Sequence, residues 1–291
     1  MGRLYAQRPA VTASTCTCLD TSIWNIDSVK FRMVRVNGGS YDMGDYRRDL
    51  VSQPVHNVSL SDFYIGQTEV TQDLWSKVMG GNPAKHKGTD LPVEQVSWYD
   101  CILFCNYLSE DAGLTPYYRI TDIKRKSGGE YYYIESATVS INDSATGFRL
   151  PTEAQWEYAA RGGLKHNEYL YAGSNKLEEV AWYYENCNNS THPVAQKKPN
   201  RLGLFDMCGN VMEWCFDWSG DYHPTQAINP LGPSSGRRKV LRGGSWRAYI
   251  PHLCRVSFRN SGNACAGYYY YGMRLVAPVQ NGNGNTAYQT H

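Results

Sequence analysis

The chain has 291 residues, 42% hydrophobic and 19% charged, a globular balance that fits one elaborate domain or two simple ones and excludes a disordered chain. Its net charge of +2 argues against a nucleic-acid track, and no apolar run approaches the roughly 18 residues of a membrane span. The 27 Gly and 13 Pro, spread throughout, point to many turns and short elements instead of a helical bundle.

Residues 1–28 read as a flexible lead-in with no apolar stretch of the kind an intact signal peptide carries. From Phe31 to Gly44 apolar and polar residues alternate, break at Gly38 and Gly39, and resume, which predicts two strands around a turn. Val55 to Gly66 alternates again. A helix is predicted from Glu69 to Met79, stopped by Gly80 and Gly81. A second is predicted from an N-cap at Ser97 to Ala112, with Cys101, Phe104, Cys105 and Leu108 as its apolar stripe. Arg119 to Asp143 reads as a hairpin excursion. Thr152 and Gln155 form a capping box that opens a third helix, ended by Gly162 and Gly163. Beyond it, Trp182, Trp214, Trp218 and Trp246 punctuate glycine- and asparagine-rich sequence, so loops and short strands are expected. Residues 279–291 read as a disordered tail. The nine Cys are an odd number with no C-x-x-C pair for zinc; most read as small buried hydrophobes, with one or two bridges.

One segment differs in chemistry from the rest. Between LRGGSW (Leu241 to Trp246) and GMRLV (Gly272 to Val276), residues 247–272 contain no Lys, Glu, Gln, Met or Trp. Those five types make up about a sixth of the chain, so a gap of this length arises by composition roughly once in a hundred tries. Tyr, Ser, Asn, Gly, Ala and Arg fill it, including four consecutive tyrosines, Tyr268 to Tyr271. That is the palette of a binding surface, rigid amphipathic aromatics with small polar neighbours. The alternative is a buried strand with a glycine-rich loop, in which period-2 alternation buries two of the four tyrosines.

Several motifs carry a family resemblance. GGSYDMG (Gly38 to Gly44), IGQTEVTQDLW (Ile65 to Trp75), LPVEQVSWYDCILFCNYLS (Leu91 to Ser109), GFRLPTEAQWEYAARGG (Gly147 to Gly163), NRLGLFDMCGNVMEW (Asn200 to Trp214) and RGGSW with GMRLV resemble, in order, the formylglycine-generating enzymes, or sulfatase-modifying factors. The resemblance implies an α+β, loop-rich elaboration of the C-type lectin fold over residues 29–278. Those enzymes oxidise a substrate cysteine with two cysteines and copper. Here Ala248 stands where the first cysteine is expected, Cys254 lies one residue from the place of the second, and Cys265 is elsewhere. The enzymes' calcium ligands correspond to Asp206, Gly209, Val211 and Glu213, two carboxylates and two main-chain groups that suit an oxygen-seeking ion. The same carboxylates could equally just hydrogen-bond their loop.

Variable proteins of diversity-generating retroelements are a narrower resemblance. They diversify adenines near the end of a C-type lectin fold, in codons that then never encode Lys, Glu, Gln, Met or Trp. The resemblance implies a non-enzymatic, receptor- or adhesin-like ligand-binding protein with a variable segment at 247–271. RGGSW and GMRLV would frame it, and Cys254, Arg255 and Val256 would be a fixed strand inside it. The display residues would be Ala248, Tyr249, Ile250, Pro251, His252, Phe258, Ser261, Asn263, Ala264, Cys265, Ala266, Tyr268, Tyr269, Tyr270 and Tyr271. At least three of Tyr249 and Tyr268 to Tyr271 should then expose their rings on one face near His252 and Phe258. Trp246 and Arg274 should be buried anchors. The expected partner is a protein or glycan, with no cofactor beyond a candidate calcium, for a monomer at the cell surface or outside the cell. An oxidase of the sulfatase-modifying type, or an accessory domain packed on a modifying enzyme, are the alternatives.

Overall fold

The computed structural model describes residues 12–16, 21–26, 28–46, 50–127, 132–165 and 168–279. Strands β1 (Thr12–Cys16), β2 (Thr21–Ile26) and β3 (Val29–Val36) form an antiparallel meander. Within the lead-in expected to be flexible over residues 1–28, residues 21–26 form a strand that carries Trp24 and Ile26 into the core; residues 1–11, 17–20 and 27 lie outside the described residues.

Strand β4 (Gly39–Met43) pairs with β5 (His56–Leu60), whereas β3 pairs with β6 (Phe63–Gly66) in a different sheet. The break at Gly38 is therefore a corner between two sheets and not a hairpin turn. A Cβ on Gly38 would collide with the Leu60 carbonyl oxygen, and its amide is taken by the Asp62 carboxylate at 2.8 Å. β3 lies inside its sheet and buries both faces: Met33 enters one apolar cluster, Val34 and Val36 the other. Alternation of side chains across a doubly covered strand requires that split.

Helices α1 (Gln72–Met79) and α2 (Trp98–Asp111) follow. α2 starts on the expected Ser97 cap, closed into a box by Asp100. α1 begins later than the expected Glu69, because the Val70 amide pairs with the Met273 carbonyl at 2.9 Å and holds residues 69–70 extended; Thr71 caps instead. The hairpin β7 (Tyr118–Ser127) and β8 (Tyr132–Ile141) is the expected excursion. The Thr152–Gln155 box opens α3 (Glu153–Arg161), which ends at left-handed Gly162 with φ 101°. A one-turn helix α4 (Leu177–Val180) precedes the loop-rich half.

Strand β9 (Met212–Trp218) sits inside a four-stranded sheet. β10 (Ala227–Ile228) lies parallel to β5. Around β9 stand β11 (Lys239–Arg242), β12 (Asn260–Gly262) on β11, and β13 (Tyr271–Gly272). β14 (Val276–Pro278) returns beside β6, so the first and last strands share one five-stranded sheet. Long loops between these strands are held by side chains: the Asn200 carboxamide alone serves the Ala159 and Ala160 carbonyls and the Leu202 and Leu204 amides.

Seven cysteines are free thiols, and six of them are buried, as small hydrophobes would be. The one or two bridges expected from sequence do not form among these seven. Among the described residues no helix is long and apolar enough to cross a membrane. The tail expected over residues 279–291 lies outside the described residues except for Val279.

Candidate functional site

Both frame motifs are anchored by buried arginines. Arg242, at the end of β11, bonds Glu153 at 3.0 Å and Glu157 at 2.6 Å on α3, and also the Val256 carbonyl at 2.6 Å. Arg259 adds two bonds to Glu153, and Arg161 two to Glu157. Burial works against both charges, yet the two facing arginines hold the Glu157 carboxyl below its ordinary range. Arg274, in GMRLV, grips Glu213 through bonds of 2.7–3.0 Å and spends its remaining donors on the Gly66 and Phe205 carbonyls. The two ends of the segment are thus fixed by charge-assisted bonds closed to water.

Between the frames the chain folds back on itself. Gly243 and Gly244 take φ of 91° and 71°, and a Cβ on Gly244 would stand 2.6 Å from the Cys254 sulfur. Trp246 is buried as expected; its amide donates to Asn210 at 2.8 Å and its indole to the Tyr269 carbonyl at 3.1 Å. Cys254, Arg255 and Val256 are buried, with the Val256 amide on the Leu170 carbonyl, but the strand expected there is corrected: Cys254 ends a short 3-10 helix (Pro251–Cys254) and the chain turns after it.

The expected display residues divide into three groups. Tyr249 (69% exposed), Tyr268 (48%), Ile250, Pro251 and Asn263 face solvent. His252, Phe258, Ser261, Cys265, Ala266, Tyr269 and Tyr270 are half-buried. Ala248, Ala264 and Tyr271 are buried, and their assignment to the surface is corrected. The Ala248 amide bonds Ser245 in the turn after the glycines; the Ala264 carbonyl accepts from Trp98 at the start of α2; Tyr271 lies in β13 with its ring 5.1 Å from Trp214. Only two of the five tyrosines named above expose their rings, one fewer than expected, because β13 draws Tyr271 into the core.

Tyr268 to Tyr271 still form one cluster. Tyr268 stacks on Tyr270 at 5.6 Å, and Tyr270 meets Tyr269 edge-on at 5.4 Å. Arg247 donates to the Tyr269 hydroxyl and lies 5.9 Å from the Tyr270 ring, while the Lys85 ammonium sits 4.5 Å above Tyr269. The loop after α1 therefore completes this face: Lys85, then His86 with its ring 5.4 Å from Trp246, and Gln95, whose amide donates to Tyr268. Lys85 and Gln95 lie far from the segment in sequence, and no local signal marks them. His252 and Phe258 pair with each other at 5.6 Å on another rim; among the described residues no ring contact joins them to the tyrosines.

The metal sites of the resembled enzymes do not fit these residues. Both Glu213 oxygens accept from Arg274, and one also from the Trp156 indole at 2.7 Å. Asp206, its carboxyl raised to about 6 by burial, retains one uncommitted oxygen. The expectation of Glu213 as a calcium ligand is corrected: its carboxylate is held by Arg274 and Trp156 in a structural hydrogen-bond network. For copper chemistry, Cys254 is fully buried with its thiol pushed well up by desolvation, and the methyl of Ala248 offers no second sulfur. Among the described residues no cluster of three or more His, Cys, Asp or Glu could hold a metal.

A mixed α and β domain of several small sheets, rich in ordered loops and closed by pairing its last strand with an early one, defines the formylglycine-generating-enzyme-like class of C-type lectin folds. The chain matches the sulfatase-modifying factor enzyme 1-like domain over residues 27–279, and it belongs to that family. It is similar to Treponema denticola variable protein 1, with a TM-score of 0.79 and 34% identity over 89% of this chain and 99% of that one. The expected likeness to a variable protein is borne out by that match. The chain is also 42% identical to the chaperone protein LppX of Paenibacillus barcinonensis over 74% of its own length and 78% of that protein's. With the formylglycine-generating enzyme of Streptomyces coelicolor it shares 31% identity over 78% and 80% of the two chains.

Proposed function

We propose that this protein is a non-enzymatic binder that displays residues 247–271 as a variable surface on a rigid lectin-like scaffold. One observation carries the reading: Arg242 and Arg274 lock both ends of the segment in buried ion pairs, while Tyr249, Ile250, Pro251, Asn263 and Tyr268 between them face solvent. A scaffold that fixes its loops before binding loses little ordering entropy on association. Exposed loop positions, unlike core ones, tolerate change of side chain. The absence of Lys, Glu, Gln, Met and Trp from the segment supports diversification of the retroelement type. The ligand class is a protein or glycan outside the cell or on its surface, met by a monomer. A relative named as a chaperone, and so one that acts on other proteins, supports a protein ligand.

Replacing Tyr249, Ile250, Asn263 and Tyr268 together by Ser tests the division between scaffold and surface. Each exposed change should cost within about 0.5 kcal/mol, so the variant should melt cooperatively near the parent. A variant that does not fold would mean these side chains hold the domain together.

An oxidase reading is disfavoured by the geometry of Cys254 and Ala248 described above.

A further inference from the structure

The chain contains no Asp or Glu after Asp221, yet Arg237, Arg238, Lys239, Arg242, Arg247, Arg255, Arg259 and Arg274 all follow it. Most of these cations are spent internally. Arg242 and Arg259 serve Glu153 and Glu157, Arg274 serves Glu213, and Arg255 reaches Asp45 at 3.8 Å. Lys239 is buried with its ammonium 3.8 Å from the Trp218 ring and 4.0 Å from Trp98. Arg237, Arg238 and Arg247 remain exposed, and among the described residues none of them has a carboxylate partner.

Two of the three border the tyrosine cluster. Arg247 and Lys85 flank Tyr269 at one end. Arg238 stands at the other, its guanidinium on the Ser261 carbonyl and within electrostatic reach of Tyr271. Glu94, the acid within electrostatic reach of Lys85, is itself buried with one oxygen on the His86 amide. The result is a partly exposed aromatic cluster, open to solvent at Tyr268, bordered by the exposed cations Lys85, Arg247 and Arg238. Planar guanidinium forks match the carboxylates of Asp and Glu, and the rings between them suit the stems of an extended chain.

Building on the display reading, we propose that this face binds an acidic segment of a partner protein, with Lys85 and Arg247 engaging carboxylates at one end and Arg238 at the other. Part of the specificity then comes from Lys85, which lies on the scaffold outside the variable segment. A constant cation beside a changing surface would bias every variant toward acidic targets.

Fluorescence anisotropy of a labelled oligoglutamate, its oligoglutamine counterpart and a heparin oligosaccharide, each titrated with the full chain, tests this. Oligoglutamate should bind and oligoglutamine should not. Lys85→Glu with Arg247→Glu should weaken binding about tenfold or more, while Arg201→Glu, an exposed cation of another loop, should change it less than about twofold. All three positions are exposed, so an unchanged thermal midpoint confirms that each variant is folded. Three results would overturn the proposal: no binding of oligoglutamate, equal damage from Arg201→Glu, or tighter binding of heparin with the same dependence on Lys85 and Arg247. The last makes the ligand an anionic glycan. None of the three touches the display reading, which stands or falls on Tyr249 and Tyr268.

Discussion

The Trp246 indole donates to the Tyr269 carbonyl oxygen at 3.1 Å, tying the start of the segment between the frame motifs to its end. The stretch between these two residues is held at several further points, by β12 on β11 and by Arg242 on the Val256 carbonyl, and this bond closes its base. Trp246→Phe keeps the aromatic bulk and removes the donor, so it should cost about 1–3 kcal/mol, the range for a buried acceptor left unpaired. Trp246→Ala should cost about 3–5 kcal/mol. Urea unfolding of both variants gives the two values, and a Trp246→Phe variant as stable as the parent would mean the bond itself contributes nothing.

Breaking the Arg274–Glu213 pair from one side should cost about 3–5 kcal/mol, because an unpaired charge stays buried. Arg274→Met with Glu213→Gln together should be less damaging than the sum of the single changes. Strict additivity in a double-mutant cycle would show that the two side chains are not coupled.

Tyrosines of the same run should behave oppositely. Tyr268→Ala, at an exposed position, should shift stability by no more than about 0.5 kcal/mol. Tyr271→Ala, in the core against Trp214, should cost about 3 kcal/mol. Thermal melts that rank the two the other way round would invert the assignment of surface and core.

Lys239 and Asp217 should shape the pH dependence of stability in opposite directions. Burial lowers Lys239 from 10.5 to about 7, so its deprotonated form is the one the fold favours. Its contribution is full above about pH 10.5 and is lost as pH falls toward 7. Burial raises Asp217 from 3.8 to about 7, so the fold favours its protonated form; that contribution is full below 3.8 and is lost as pH rises toward 7. Lys239→Met should flatten the alkaline limb of a plot of melting temperature against pH, and Asp217→Asn the acidic limb. A profile identical in all three proteins contradicts the assignment.

Short-range signals in this chain were legible from sequence. The cap at Ser97, the box at Thr152 and the glycine stops at Gly80 and Gly162 depend on groups within four residues of the backbone they serve. What could not be read was set by distant partners. The strands flanking Gly38 alternate alike, yet their sheets are decided by β5 and β6, whose pairing no local pattern reveals. Tyr271 is chemically the same as Tyr268, and only the neighbouring β9 makes one core and the other surface. The composition of residues 247–272 could not separate buried Ala248 and Ala264 from exposed Asn263. Glu213 looked like a metal ligand because its sequence setting does not show Arg274, 61 residues on, closing over it.

Sequencing the gene and its flanking DNA across a cultured population tests the central claim most directly. A near-copy of the stretch coding for residues 247–271 should lie nearby and differ from it only where the copy carries adenine. Changes between cells should fall on codons such as those of Tyr249, Ile250, Asn263 and Tyr268, with Trp246, Arg255 and Arg274 unchanged. A single-copy stretch that is identical in every cell, or substitutions spread evenly over frame and segment, would contradict the reading of this domain as a variable display surface.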